Sequence, residues 1–249
     1  MTPPGEEAKG PGTRVGLFST THWSVVLAAS QQESPQATEA AEKLCRTYWY
    51  PLYVYVRRRG CGPEDAEDLT QEFFARFLAN KSVAVAHPNR GKFRWFLSTS
   101  LQHFLANEWD RARACKRGGA QPVLSLQELG AEQRYQRESA DGLTPEKAFE
   151  RRWAVLLLER VMEGLRQEAE AEDKGGKFEA LATFLWGNTG SPSYAETGER
   201  LGMSEGAVKV AVHRLRHRYE ERLRAEIAET VAAPEEIEEE IRDLFAAFD

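Results

Sequence analysis

The sequence has little cysteine, little histidine and no long apolar run. Its three cysteines, Cys45, Cys61 and Cys115, are odd in number and far apart. That spacing fits neither a disulfide framework nor a zinc site, and it points to a reducing, cytoplasmic compartment. The longest uninterrupted apolar stretch, Trp153 to Leu158, is far below the roughly 20 residues of a membrane span, so no membrane partner is expected. The opening MTPPGEEAKGPGTRVG has no apolar core and carries acids; it reads as a disordered arm rather than a secretory signal. The five histidines are scattered. His213 and His217 stand four apart but lie among arginines with no glutamate beside them, and KGGK at 174–177 lacks the spacing of a phosphate-binding loop. No paired carboxylates, nucleophile elbow or metal spacing is found, so the reading is of a protein that is not an enzyme and needs no cofactor or metal. Alternating β-branched residues are rare, and proline nearly avoids the apolar-periodic segments, which predicts a mostly helical chain.

Charge is present but uneven. The formal net charge is −6. Between Arg90 and Arg117 seven cations face Glu108 and Asp110, a local +5. Between Lys209 and Arg224 six cations face Glu220 and Glu221, a local +4. Between Pro234 and Asp249 only Arg242 opposes seven acids, a local −6. An acidic total therefore leaves two basic segments free to meet a polyanion.

Periodicity places a first short helix from Ser24. A long one follows over Ala37–Arg59, crossed by Pro51, which should start a new turn or kink it. In CGPEDAEDL, proline at a first helical position and acids at the positive end of the helix dipole mark a start, and that helix runs to about Leu78. Another spans Arg94 to about Lys116 and stops at Gly118 and Gly119. Turn formers dissolve the pattern over 120–147, read as a linker. Helices follow over Pro145–Glu168 and Phe178–Trp186, with EDKGGK and GNTGSPS as loops. In SYAETGERLGMSEGAVKVAVHRLRHRYEERLR, residues 193–224, Tyr194–Leu201 forms a short helix with Ala195 and Leu201 facing inward. Gly202 turns the chain, Met203 plugs the angle, and Ser204 caps a second helix. Val208, Val212 and Leu215 share one face of that helix, while Lys209, His213, Arg214, Arg216 and His217 share the other. Short helix, glycine turn and one-sided cations make a helix-turn-helix pattern suited to a DNA groove.

At this point the chain resembles the extracytoplasmic-function type of bacterial RNA polymerase sigma factor, over roughly residues 20–225. Residues 193–224 resemble the promoter-reading C-terminal domain. DAEDLTQEFFARFL, 65–78, resembles the helix that binds core polymerase. FRWFLSTSLQHFLANEWDRARACKR, 93–117, resembles the helix that melts and reads the −10 element. The expected architecture is all-α: two small helical domains joined by a flexible linker, the C-terminal one a helix-turn-helix. An arm (1–18), a core-binding and −10 domain (19–119), the linker (120–147), a −35 domain (148–226) and an acidic amphipathic extension (227–249) complete it.

The resemblance implies a promoter-specificity subunit whose partners are promoter DNA and core RNA polymerase, through the largest-subunit coiled coil and the flap. Asp65, Asp68, Gln71, Glu72 and Phe74 would dock on polymerase. At −10, Lys92, Arg94, Trp95, Asn107, Trp109, Arg111, Arg113, Lys116 and Arg117 would part and hold DNA, since aromatics stack on exposed bases and cations track phosphates. At −35, Glu205, Lys209, His213 and Arg214 are candidates for base edges, Arg216, Arg218 and Arg222 for phosphates, and Ser204 belongs to the same helix. The residues leave some roles open. Phe93 divides between core and DNA, and Trp95 and Trp109 between core plug and base wedge, whereas Phe96, Leu97, Leu101, Phe104 and Leu105 have core spacing. In the extension, Ile237, Ile241, Leu244, Phe245 and Phe248 recur at helical spacing. That helix could pack on the DNA-reading domain, mask its basic face, bind a partner or only solubilise the chain. Control by an inhibitor or a regulatory kinase stays open, with Ser191 and Thr144 before prolines. The alternative is a stand-alone helix-turn-helix regulator, which needs neither the 65–78 helix nor the aromatic–basic one.

Overall fold

The computed structural model describes residues 23–30, 34–79, 82–86, 91–114, 131–138, 142–186 and 192–249. The expected N-terminal arm, Cys115, Lys116, Arg117, the glycine stop at 118–119 and Ser191 lie outside the described residues. The fold is all-α: among the described residues there is no strand. In chain order the helices are α1 Trp23–Ser30, α2 Pro35–Arg58, α3 Pro63–Ala79, α4 Phe93–Ala114, α5 Ala131–Glu138 and α6 Pro145–Ala171. They continue as α7 Gly175–Ala182, α8 Tyr194–Leu201, α9 Glu205–Ala228 and α10 Ile237–Ala246.

The second helix is the hub. Ser34 caps it by accepting from the Ala37 amide, and Pro35 opens it. From Tyr48 to Val56 every residue is buried, so the helix is covered all round, by α1, α3 and α6. The helix continues through Pro51 instead of restarting there. An interior proline costs about 3 kcal/mol. Nine consecutive buried residues, Tyr48 to Val56, recover several times that by burial.

Thr144 caps α6 and Pro145 opens it. One face of α6 lies on α2, and the same helix also meets α7, α9 and α10. Tyr55 donates to Glu146 (2.9 Å) and Arg160 to the Thr47 hydroxyl (3.4 Å). Within the segment expected as a linker, residues 131–138 form α5, anchored on α2. Glu132 accepts from Tyr53 (2.6 Å) and from Arg57 (2.9 Å), and Arg57 lies 4.7 Å over the Tyr135 ring. Burial and the Glu132 hydrogen bond both push the Tyr53 hydroxyl up. The buried side chains, from Trp23 to Leu244, form one continuous cluster.

Candidate nucleic-acid interface

The α8–α9 pair is built by its caps. Ser193 and Glu196 form a reciprocal capping box. Gly202 takes the left-handed conformation (φ 65°). The Gly202 amide then donates to Glu199 (3.3 Å) and the Met203 amide to Gly198 (2.8 Å), the paired bonds that end a helix on glycine. Ser204 accepts from the Ala207 amide (3.2 Å) and starts α9. Val208, Val212 and Leu215 are buried, as their spacing predicts. One detail differs: Ala195 is exposed, and Thr197 and Gly198 are the buried positions of α8, with Leu201 half-buried. In a helix this short, the face against the turn is 197, 198 and 201, and Gly198 lies against the Met203 carbonyl.

The outer face of α9 carries Glu205, Lys209, His213, Arg214, Arg216 and Arg218, all exposed, as is Ser204 at its cap. Lys209 pairs with Glu205 at 2.7 Å, and that pair raises the lysine above its ordinary value. His213 and Arg214 make no ion pair and no side-chain hydrogen bond among the described residues. Farther along, three cations reach across to neighbouring elements. Arg216 donates to the Phe184 carbonyl (2.8 Å), Arg218 to Glu168 (2.7 Å) and Arg222 to the same Glu168. These three staple α9 to α6 and to the turn that follows α7, so the cations of the outer face that bond to no other element, Lys209 and Arg214, are those of the first three turns.

At the start of α4 the arrangement departs from expectation. Arg94 is only 3 % exposed, so in this arrangement it is covered and not open to a ligand. It pairs with Glu150 of α6 at 2.7 Å and with Glu240 of α10, and lies 4.1 Å over the Trp153 ring. Burial alone would lower the guanidinium, but the two carboxylates outweigh it and hold it above its ordinary value. Lys92 pairs with Glu240 and Asp243. Glu240 is itself 1 % exposed. The sequence reading missed Glu240 and Glu150 as partners. The signal lay in the extension: Glu240 stands three after Ile237 and four before Leu244, on the apolar face, where an acid needs a cation.

The other residues divide cleanly. Phe93 is a core residue, edge-on to Trp23 (6.0 Å) and Tyr48 (5.6 Å). Leu97, Leu101 and Leu105 are buried and Phe96 and Phe104 pack beside them. Trp95 is 48 % exposed, with the Lys92 ammonium 4.6 Å and the Arg94 guanidinium 5.5 Å from its ring. Asn107 is exposed, and Trp109 is half-buried with Arg59 over it at 5.2 Å. Arg111 is exposed and pairs with Glu108 (2.7 Å). Arg113 lies in α4, but its side chain is outside those described, as are Lys116 and Arg117.

On α3, Asp65 and Asp68 are exposed and Gln71 and Glu72 half-buried. Phe74 is 3 % exposed, its ring against Phe73 at 5.7 Å. It is a core residue and cannot dock on a partner; three phenylalanines on one stripe were needed inside. Glu72 pairs with Arg76, and Arg76 also pairs with Glu108, which ties α3 to α4. Among the described residues no three His, Cys, Asp or Glu side chains gather to hold a metal, and no helix is long and apolar enough to cross a membrane. No family model matches the chain, and no curated protein or solved structure matches it.

Proposed function

We propose that the chain is a promoter-specificity subunit of bacterial RNA polymerase, acting in the cytoplasm, with α3 as the polymerase-docking helix, α4 as the −10 helix and α8–α9 as the −35 reader. The observation that carries this reading is the α8–α9 unit. A glycine-ended helix turns into a capped second helix whose first three turns hold Lys209, His213 and Arg214 outward and Val208 and Val212 inward. Arginine on such a face can read guanine in the major groove with two hydrogen bonds. The exposed acids of α3 suit a basic helical partner, where they would set rate and register. Trp95, Asn107 and Arg111 are the exposed groups of α4 that could meet unstacked bases and phosphates.

The second reading, a regulator that binds duplex DNA without polymerase, is favoured by one observation. The face of α9 is open while Lys92 and Arg94 are occupied by acids. One experiment separates the two: purification with bacterial core polymerase, then run-off transcription with and without the protein. A stoichiometric complex that gains promoter-dependent initiation, weakened by Asp68→Lys, is the expected result. No association with core, together with a discrete footprint on duplex DNA, would leave the stand-alone regulator in its place.

A further inference from the structure

The acidic extension is not loose. Leu244 is buried, and Ile237 and Ile241 are half-buried against the core cluster, so α10 lies across α6 and α9. From that seat it sends Glu240 and Asp243 to Lys92, and Glu240 also to Arg94. A fourth pair joins Glu238 to Arg224 of α9. Two cations at the start of the aromatic–basic helix are thus matched by two carboxylates from the far end of the chain.

We infer that α10 is a phosphate-mimicking cover: its Glu240 and Asp243 carboxylates hold the Lys92–Arg94 site against single-stranded DNA, and the strand must displace them to bind beside Trp95. The inference rests on the DNA reading proposed above and adds its regulation. Three features support it. First, the chemistry is interchangeable: a carboxylate and a phosphate diester both offer anionic oxygens to the same ammonium and guanidinium donors. Second, the place is right for a strand. Trp95 stays half-exposed between the two cations. A groove of about 480 Å³ runs from Arg94 and Trp95 along α6 to Asp243 and Phe248, with Glu146, Glu150 and Glu239 outweighing Lys147 and Arg151 on its walls, so bases have an aromatic face beside the covered charges while the acids around it keep a strand out until α10 moves. Third, the hold is specific but not strong. Burying an ion pair costs desolvation that offsets most of its attraction, and α10 adds one fully buried leucine while Phe245 remains half-exposed. A polyanion that engages several cations together can outcompete such a cover.

The test uses the full chain and fluorescein-labelled oligothymidine of about 20 nucleotides, followed by anisotropy across salt. Glu240→Gln with Asp243→Asn removes the competing charge of α10 and leaves Glu150 on Arg94. It should raise affinity about tenfold near 50 mM salt and steepen the slope of log affinity against log salt by about 0.7, for the one cation, Lys92, that is left without a carboxylate. Adding Lys92→Gln to that variant should remove the extra slope. Hydrogen exchange of the unaltered chain gives a second measurement that does not depend on the variants folding: saturating oligothymidine should speed exchange in 237–246. If the unaltered chain binds the strand, the double variant binds no tighter and 237–246 stays equally protected, the cover is overturned and the DNA reading stands. If neither chain binds single-stranded or promoter duplex DNA, the DNA reading falls and the cover falls with it.

Discussion

Gly198 and Gly164 sit in different helices and make a matched pair of alanine substitutions with opposite expected outcomes. A Cβ built on Gly198 would lie 2.6 Å from the Met203 carbonyl oxygen. That oxygen is backbone, and the same stretch is fixed by the Met203 amide bonding the Gly198 carbonyl at 2.8 Å. The clash can only be relieved by opening the angle between α8 and α9. Over-filling such a contact costs about 1–3 kcal/mol, against about 1 kcal/mol gained by alanine over glycine in a helix. Where backbone cannot yield, the upper half of that range applies, and Gly198→Ala should lose about 1–2 kcal/mol, a fall in Tm of about 2–8 °C for a chain of this size. At Gly164 a Cβ would also come within 2.6 Å, but of the Arg222 guanidinium, which can swing away from Glu168. Losing that part-exposed pair costs about 0–1 kcal/mol and the helix gains about 1 kcal/mol, so Gly164→Ala should melt between the parent's temperature and about 4 °C above it. Scanning calorimetry reads both. On the proposed reading, duplex binding should weaken in Gly198→Ala and hold in Gly164→Ala, because only the first moves the α9 face. Equal melting and equal duplex affinity for both variants would refute the claim that a backbone approach sets the α8–α9 angle.

Two further outcomes follow from titrating groups. Burial would raise the Glu132 carboxyl, but hydrogen bonds from Arg57, Tyr53 and Gln136 outweigh it and hold it below the usual carboxylate range. A carboxylate lowered on folding contributes stability that is complete above its unfolded pKa and is lost as pH falls through the folded one. Urea midpoints of the parent should therefore decline below about pH 5, and Glu132→Gln should flatten part of that decline; an unchanged acid limb would remove Glu132 as an anchor of α5. Burial, aided by Glu42, pushes the Cys45 thiol up to about 11, which suppresses the reactive thiolate. At pH 8 a thiol reagent should leave Cys45 unmodified in the native chain and modify it in urea, as peptide mapping would show; rapid native labelling would place Cys45 outside the core.

The helices with strong local signals could be read directly. Proline and acids opened α3 where CGPEDAEDL predicted, and serine, glycine and serine again fixed both ends of the α8–α9 turn within a residue. Those signals are local, so sequence carries them whole. α5 was not legible because its helix is selected from outside: AEQRYQRE is polar, and its hold on α2 comes from Glu132 and Tyr135 meeting Tyr53 and Arg57, about 80 residues away. EDKGGK was expected to be a loop throughout, yet α7 starts at Gly175, where packing decides what propensity does not. For the candidate site, the outward face of α9 followed from period alone. The burial of Arg94 did not, since it depends on Glu150 and Glu240, which lie 56 and 146 residues away in sequence. A cation's partner is invisible to periodicity unless the partner itself stands out, as Glu240 does on an apolar face.

The same placement says which ligand could lift α10. The cations of the α9 face that bond to no other element end at Arg214, whereas the α10 ion pair on α9 is at Arg224. Ten helical residues separate them by about 15 Å. The screening length is about 8 Å at physiological ionic strength and about 30 Å at about 0.01 M. On the proposed reading, a duplex seated on Lys209 and Arg214 would therefore repel the acids of α10 strongly only in dilute buffer, and hardly at all near physiological salt. Duplex binding by α9 and uncovering of Lys92 and Arg94 should then be nearly independent at physiological salt and coupled at low salt. Release of α10 has to come from an anion or a protein that competes at α4 itself. Hydrogen exchange of 237–246, measured with a duplex bound at the two salt concentrations, distinguishes this from a direct mechanical link through α9. A mechanical link would give the same change at both.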